Sequence, residues 1–128
     1  MTDTINSTPP KLNWSVYVGD ANIETFTITD GTNPIDLTGA VVLAQVRTEP
    51  TADTASLEAI ITEVDMANGK FSVGWDGEQV RALVDASDGD TWRGYWDLQI
   101  TETGQTLPTT YARGTFSASY DVSRLAQG

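Results

Sequence analysis

The chain has 128 residues, 39% of them hydrophobic and 20% charged, with 18 acidic against seven basic side chains and a formal net charge of −11. That composition describes one ordered domain with a usable core, and its charge repels nucleic-acid phosphates and anionic membranes, so neither is an expected partner. Cysteine and histidine are both absent, which excludes disulfides, thiol catalysis, histidine-based triads and the usual histidine or thiolate metal sites.

Residues 1–10 are polar and end in Thr8-Pro9-Pro10. Paired prolines favour an extended chain without backbone donors, so an extended N-terminal arm is expected over 1–10. The segment has neither the basic region nor the apolar stretch of a signal peptide, and no stretch reaches membrane-spanning length. Synthesis and retention in the cytoplasm are expected, unless the protein leaves as part of an assembly.

Leu12, Trp14, Val16 and Val18 alternate with polar neighbours and Tyr17, which predicts a strand with one buried face. After Gly19-Asp20, Phe26 and Ile28 alternate with threonines in a second strand. Asp30-Gly31-Thr32-Asn33-Pro34 forms a turn cluster. Asp36-Leu37-Thr38-Gly39 is a sharper turn, and it launches Ala40–Arg47. Val42, Ala44 and Val46 face one way there, Val41 and Leu43 the other, which predicts a central strand buried on both faces.

Leu57–Val64 reads as a further strand, with a short helix as the competing assignment. Asn68-Gly69 marks a hairpin into Phe71, Val73 and Trp75. Val80, Leu83 and Val84 then recur at helical spacing, predicting one or two helical turns capped by Asp76. Trp92 to Thr101 is the most aromatic strand, with Trp92, Gly94, Trp96, Leu98 and Ile100 on one face. The last strand carries Ala112, Gly114, Phe116, Ala118 and Tyr120 inward.

About seven strands, one short helix and no βαβ rhythm predict an all-β, immunoglobulin-like antiparallel β-sandwich over 11–124, with a C-terminal tail at 125–128. A small closed barrel is the alternative. With no disulfide available, Trp14, Trp75 or Trp96 would fill the centre.

No set of residues assembles into a catalytic constellation, so catalytic, cofactor-binding and metal-binding residues are all expected to be absent. The acidic loop Asp85–Asp90 lacks the spacing and the closing glutamate of a calcium loop and reads as a solvated turn. The tryptophans share the phase of the core. Tyr17, Tyr95 and Tyr111 lie out of phase with it, and with Arg47 and Arg113 they are the expected interface residues, joined by Thr8, Pro9 and Pro10 of the arm. Gln45, Arg93 and Asp97 also point outward, and Asp97 is placed to pair with an arginine on a neighbouring strand.

Several local signatures occur in a fixed order. Gly19-Asp20 precedes Phe26-Thr27-Ile28-Thr29-Asp30-Gly31. Pro34-Ile35-Asp36-Leu37-Thr38-Gly39 and Gln45-Val46-Arg47 follow. Gly69-Lys70-Phe71, Gly94-Tyr95-Trp96-Asp97-Leu98, Gly114-Thr115-Phe116 and Asp121-Val122-Ser123-Arg124 complete the series. Over residues 19–124 this order resembles tailed-bacteriophage virion proteins, and specifically the immunoglobulin-like N-terminal domain of phage upper baseplate proteins and related tail and head proteins.

The resemblance implies a non-enzymatic structural part of a virion, binding other virion proteins and open to forming homo-oligomers within the assembly. Upper baseplate proteins continue beyond this domain into a fibre-holding segment. A chain ending at Gly128 is expected instead to be a small tail or baseplate component or a capsid decoration protein. The alternative expectation is a carbohydrate-binding adhesion module, which needs an exposed tryptophan such as Trp75 or Trp92.

Overall fold

The structure is a computed structural model that describes residues 2–5, 11–19, 22–87 and 89–120. Nine strands, one α-helix and a single 3-10 turn at Met66–Asn68 follow among these residues. In chain order the strands and the α-helix are β1 (Thr2–Ile5), β2 (Trp14–Val18), β3 (Ile23–Ile28), β4 (Val41–Arg47), β5 (Leu57–Glu58), β6 (Ile60–Asp65), β7 (Lys70–Gly74), α1 (Gly77–Ala86), β8 (Thr91–Thr101) and β9 (Thr109–Tyr120). A four-stranded sheet has the order β1-β3-β7-β6, and a five-stranded sheet the order β2-β9-β8-β4-β5. The runs β3-β7-β6 and β9-β8-β4 reproduce the two sheets of an immunoglobulin sandwich, so the all-β expectation holds and the closed barrel does not.

The inward faces follow the alternation in the sequence. Phe26, Ile28, Phe71 and Val73 come from the four-stranded sheet. Val16, Val46, Trp96, Leu98, Ile100 and Phe116 come from the other. Aromatic rings fill the place of the antibody disulfide. Trp14 meets Trp96 edge-on at 5.0 Å and Trp75 at 5.4 Å, and lies 5.9 Å from Phe26. Trp75 in turn meets Phe116 at 5.3 Å. Edge-on pairs of this kind each add about 0.5–1.5 kcal/mol beyond area burial.

Helix α1 spans Gly77–Ala86, longer than one or two turns. The Asp76 carboxylate caps it, accepting from the N–H groups of Glu78 at 2.8 Å and Gln79 at 3.2 Å. Val80 and Val84 are its fully buried face. The turn at Asp36 behaves as its residues require. The Asp36 carboxylate accepts from the Thr38 hydroxyl at 2.6 Å and the Thr38 N–H at 2.9 Å, and these bonds hold it below its ordinary pKa. Gly39 sits at φ +79°, where a Cβ would meet the Thr103 hydroxyl.

Three expectations are corrected. The strand expected over Leu57–Val64 is two strands in different sheets. Leu57 and Glu58 pair with Val46 and Gln45, the Ala59 N–H bonds the Ala44 carbonyl at 2.8 Å, and Ile60 begins the pairing with β7. Strand β4 is not buried on both faces. Its outer neighbour is the two-residue β5, and Val41 is 65% exposed, since apolar side chains also occupy open surface. Tyr111, expected outward, is buried. A bulge pairs Leu98 with Ala112 and Gln99 with Thr110, so Tyr111 is the extra residue and its ring turns in beside Ala112.

Strand β1 pairs in parallel with β3, Thr2 opposite Thr25 through Ile5 opposite Ile28. Thr8, Pro9 and Pro10, and the tail expected at 125–128, lie outside the described residues.

Candidate functional site: the outer face of the five-stranded sheet

Strand pairing sets the outward residues of β9, β8, β4 and β5 in transverse rows. One row runs from Lys11 through Arg113, Asp97 and Gln45 to Glu58. The next runs Thr115, Tyr95, Arg47, and a third places Ser117 opposite Arg93. Neighbouring strands lie about 4.8 Å apart, so side chains within a row are in reach of one another. The first two rows, Glu58 apart, floor an open groove of about 780 Å³, lined among others by Lys11, Arg47, Pro50, Tyr95, Asp97 and Arg113.

Each polar group on this floor has a local cause. Arg47 is clamped, with one guanidinium nitrogen donating to the Gln45 amide oxygen at 2.7 Å and the other to the Ala52 carbonyl at 3.1 Å. Gln45 in turn donates to the Glu58 carboxylate at 2.9 Å. Asp97 is half-buried between β4 and β9. Burial raises its carboxyl above the ordinary value, against the opposing pull of the Arg47 charge and a bond from the Gln99 amide. Tyr95 stands at the centre, 43% exposed.

Lys11 reaches the groove through a backbone crossing. The Leu12 N–H bonds the Arg113 carbonyl at 2.8 Å, and the Leu12 carbonyl accepts from the Trp96 indole N–H at 2.6 Å. This approach lies directly over Gly114, where any Cβ would collide with the Leu12 carbonyl. The crossing holds Lys11 beside Arg113. Among the described residues, neither of these two cationic groups makes a hydrogen bond or an ion pair.

The groove gathers three of the expected interface residues, Arg47, Tyr95 and Arg113. Tyr17 is 49% exposed and lies on the same sheet face, in a row with Ser119 and Thr91 beyond the groove. Tyr111 is not on this face. Lys11 was not among the expected residues. Its only signal in the sequence is a lone cation before the first apolar alternation, and the crossing that places it is a tertiary feature. No group of three or more carboxylates suited to a metal occurs among the described residues. None of the four tryptophans is exposed: Trp75 and Trp96 are buried, and Trp14 and Trp92 pack against the core.

No family model matches the sequence, and no curated protein matches it. Among solved structures, the N-terminal domain of phage TP901-1 ORF48 superposes with a TM-score of 0.51 at 16% identity, covering 94% of this chain and 99% of that one. The CooA pilin subunit of enterotoxigenic Escherichia coli gives 0.39 at 10% identity, covering 90% and 92%. The bradyzoite-specific antigen BSR4 of Toxoplasma gondii gives 0.37 at 13% identity, covering 98% and 50%. The first likeness is one of fold, and the other two fall below the similarity at which a fold is shared.

Proposed function

We propose that this protein is a non-enzymatic structural component of a bacteriophage virion, docking on other virion proteins as a small tail or baseplate protein or a capsid decoration protein. The observation that carries the reading is a fold shared, over nearly the whole length of both chains, with a domain of a phage protein. The ordered series of sequence signatures over residues 19–124 supports the same reading independently. The outer face of the five-stranded sheet supplies a docking surface that groups Arg47, Tyr95 and Arg113, an aromatic and arginine set of the kind that anchors protein interfaces. Tyr17 and the N-terminal segment 1–10 belong to the same proposal as further contacts, and the protein resides in the virion after synthesis in the bacterial host cytoplasm.

The test is the composition of particles. Virions purified by density gradient from a host producing this protein should contain it at a fixed ratio to the major structural proteins, and a labelled copy should sit at one class of position in particle images. Absence from purified particles would overturn the reading.

A further inference from the structure

Cations are scarce in this chain, and the fold collects them. Of its seven lysines and arginines, four (Lys11, Arg47, Arg93 and Arg113) lie in the outward rows of the five-stranded sheet. Among the described residues, two carboxylates, Asp97 and Glu58, share those rows. The face is thus locally positive on a molecule of net charge −11.

The arrangement also opposes local stability. Lys11 and Arg113 are partners in an isolated parallel bridge, where like charges repel, while Asp97 faces Arg113 from the other side. A chain so rich in carboxylates has ample means to pair them, yet the Leu12 crossing holds both together and unpartnered among the described residues. Arg47, by contrast, is clamped in place on the far side of Tyr95.

We infer that the groove between Lys11–Arg113 and Arg47 binds an extended acidic segment of a partner protein, one carboxylate seated at each end and Tyr95 covered between them. This names the chemistry of the docking partner and rests on the virion reading only for who that partner is. The spacing fits such a segment. Arg113 lies two strand steps from Gln45, and Arg47 two residues further along β4, about 12 Å in all with Asp97 half-buried below the direct line, and an extended peptide covers that distance in about four residues. The remaining negative charge of the molecule steers nucleic acid away at long range, whereas a short acidic segment meets the local positive field within a Debye length.

The test is a titration of the full chain with a capped hexaglutamate peptide, followed by backbone amide NMR. The expected result is shifts concentrated at residues 45–47, 95–97 and 113–115, with affinity falling at least fivefold between 50 and 300 mM salt. Lys11→Gln and Arg113→Gln should each weaken binding fivefold or more while leaving the melting temperature unchanged or raised, because each removes a repulsion. Arg81→Gln, on the exposed side of α1, should bind as the parent does. Shifts located elsewhere, unchanged affinity in Arg113→Gln, or equal or tighter binding of a ten-residue oligothymidylate would overturn the inference. Particle composition separates it from the proposed function. A chain present in virions that ignores hexaglutamate overturns only the inference, and one that binds hexaglutamate but is missing from virions overturns only the virion role.

Discussion

Replacing Gly114 with alanine tests the crossing that builds the groove. An added Cβ would fall on the carbonyl oxygen and carbon of Leu12, both backbone atoms that no side-chain rotation can clear. Overpacking at such a point costs about 1–3 kcal/mol. If Leu12 moves aside instead, its carbonyl leaves the Trp96 indole N–H, now bonded at 2.6 Å, and a buried donor without a partner costs about 1–3 kcal/mol. Either route predicts a loss of about 1–3 kcal/mol. For a domain of this size that lowers the melting temperature by roughly 4–12 °C. Urea unfolding followed by tryptophan fluorescence measures it. Gly77→Ala is the control, since a Cβ at the first residue of α1 meets nothing, and it should be neutral or gain up to about 1 kcal/mol. A loss below about 0.5 kcal/mol in Gly114→Ala would refute the idea that the Leu12 crossing depends on this glycine.

Three other measurements probe the rest of the frame. Asp76→Ala removes the cap of α1 and should cost about 0.5–2 kcal/mol, read from the urea midpoint, with the largest loss of protection in amide exchange on α1. Phe116→Ala empties a fully buried site under Trp75 and should cost about 3–5 kcal/mol, while Tyr17→Ala on the exposed face should stay within about 0.5 kcal/mol. Asp97 supplies a pH signature. Its carboxyl titrates higher in the folded than in the unfolded protein, so the folded state holds the proton more tightly, and this contribution is lost as pH rises through the folded value. Asp97→Asn should therefore be more stable than the parent at pH 7 and equal to it below the unfolded carboxylate range. Greater stability of the parent at pH 7 would show that the Arg47 attraction outweighs burial.

Much of the architecture was legible from period and turn chemistry. The aromatic strand β8 alternates without interruption, and its inward set of Gly94, Trp96, Leu98 and Ile100 is the buried set of the structure. The cap at Asp76 and the turn at Asp36 are local hydrogen-bonding devices, and local chemistry was enough to place them. The misplaced features are those that alternation cannot encode. A bulge at Tyr111 adds one residue and reverses the phase of all that precedes it. The change of sheet at Ala59 leaves inward and outward positions in phase, so the pattern reads as one strand. Apolar residues on both sides of β4 suggested a central strand buried on both faces; it does lie between β8 and β5, but its outer face stays open, which its own alternation does not reveal.

The candidate site divides along the same line. Outward phase alone marked Arg47, Tyr95 and Arg113, because a side chain's face is a local property of a strand. Their assembly into one groove required β4, β8 and β9 to be neighbours in a particular register, which is decided by long-range pairing. Lys11 joins them only because Leu12 crosses Gly114 and bonds Trp96, residues more than eighty positions away in the chain. By itself, then, the sequence determined the strands, the turns and the composition of each face, all set by interactions among near neighbours. Only the tertiary structure decided that scarce cations from separate strands would meet on one open face, since that depends on which distant strands pair and in what register.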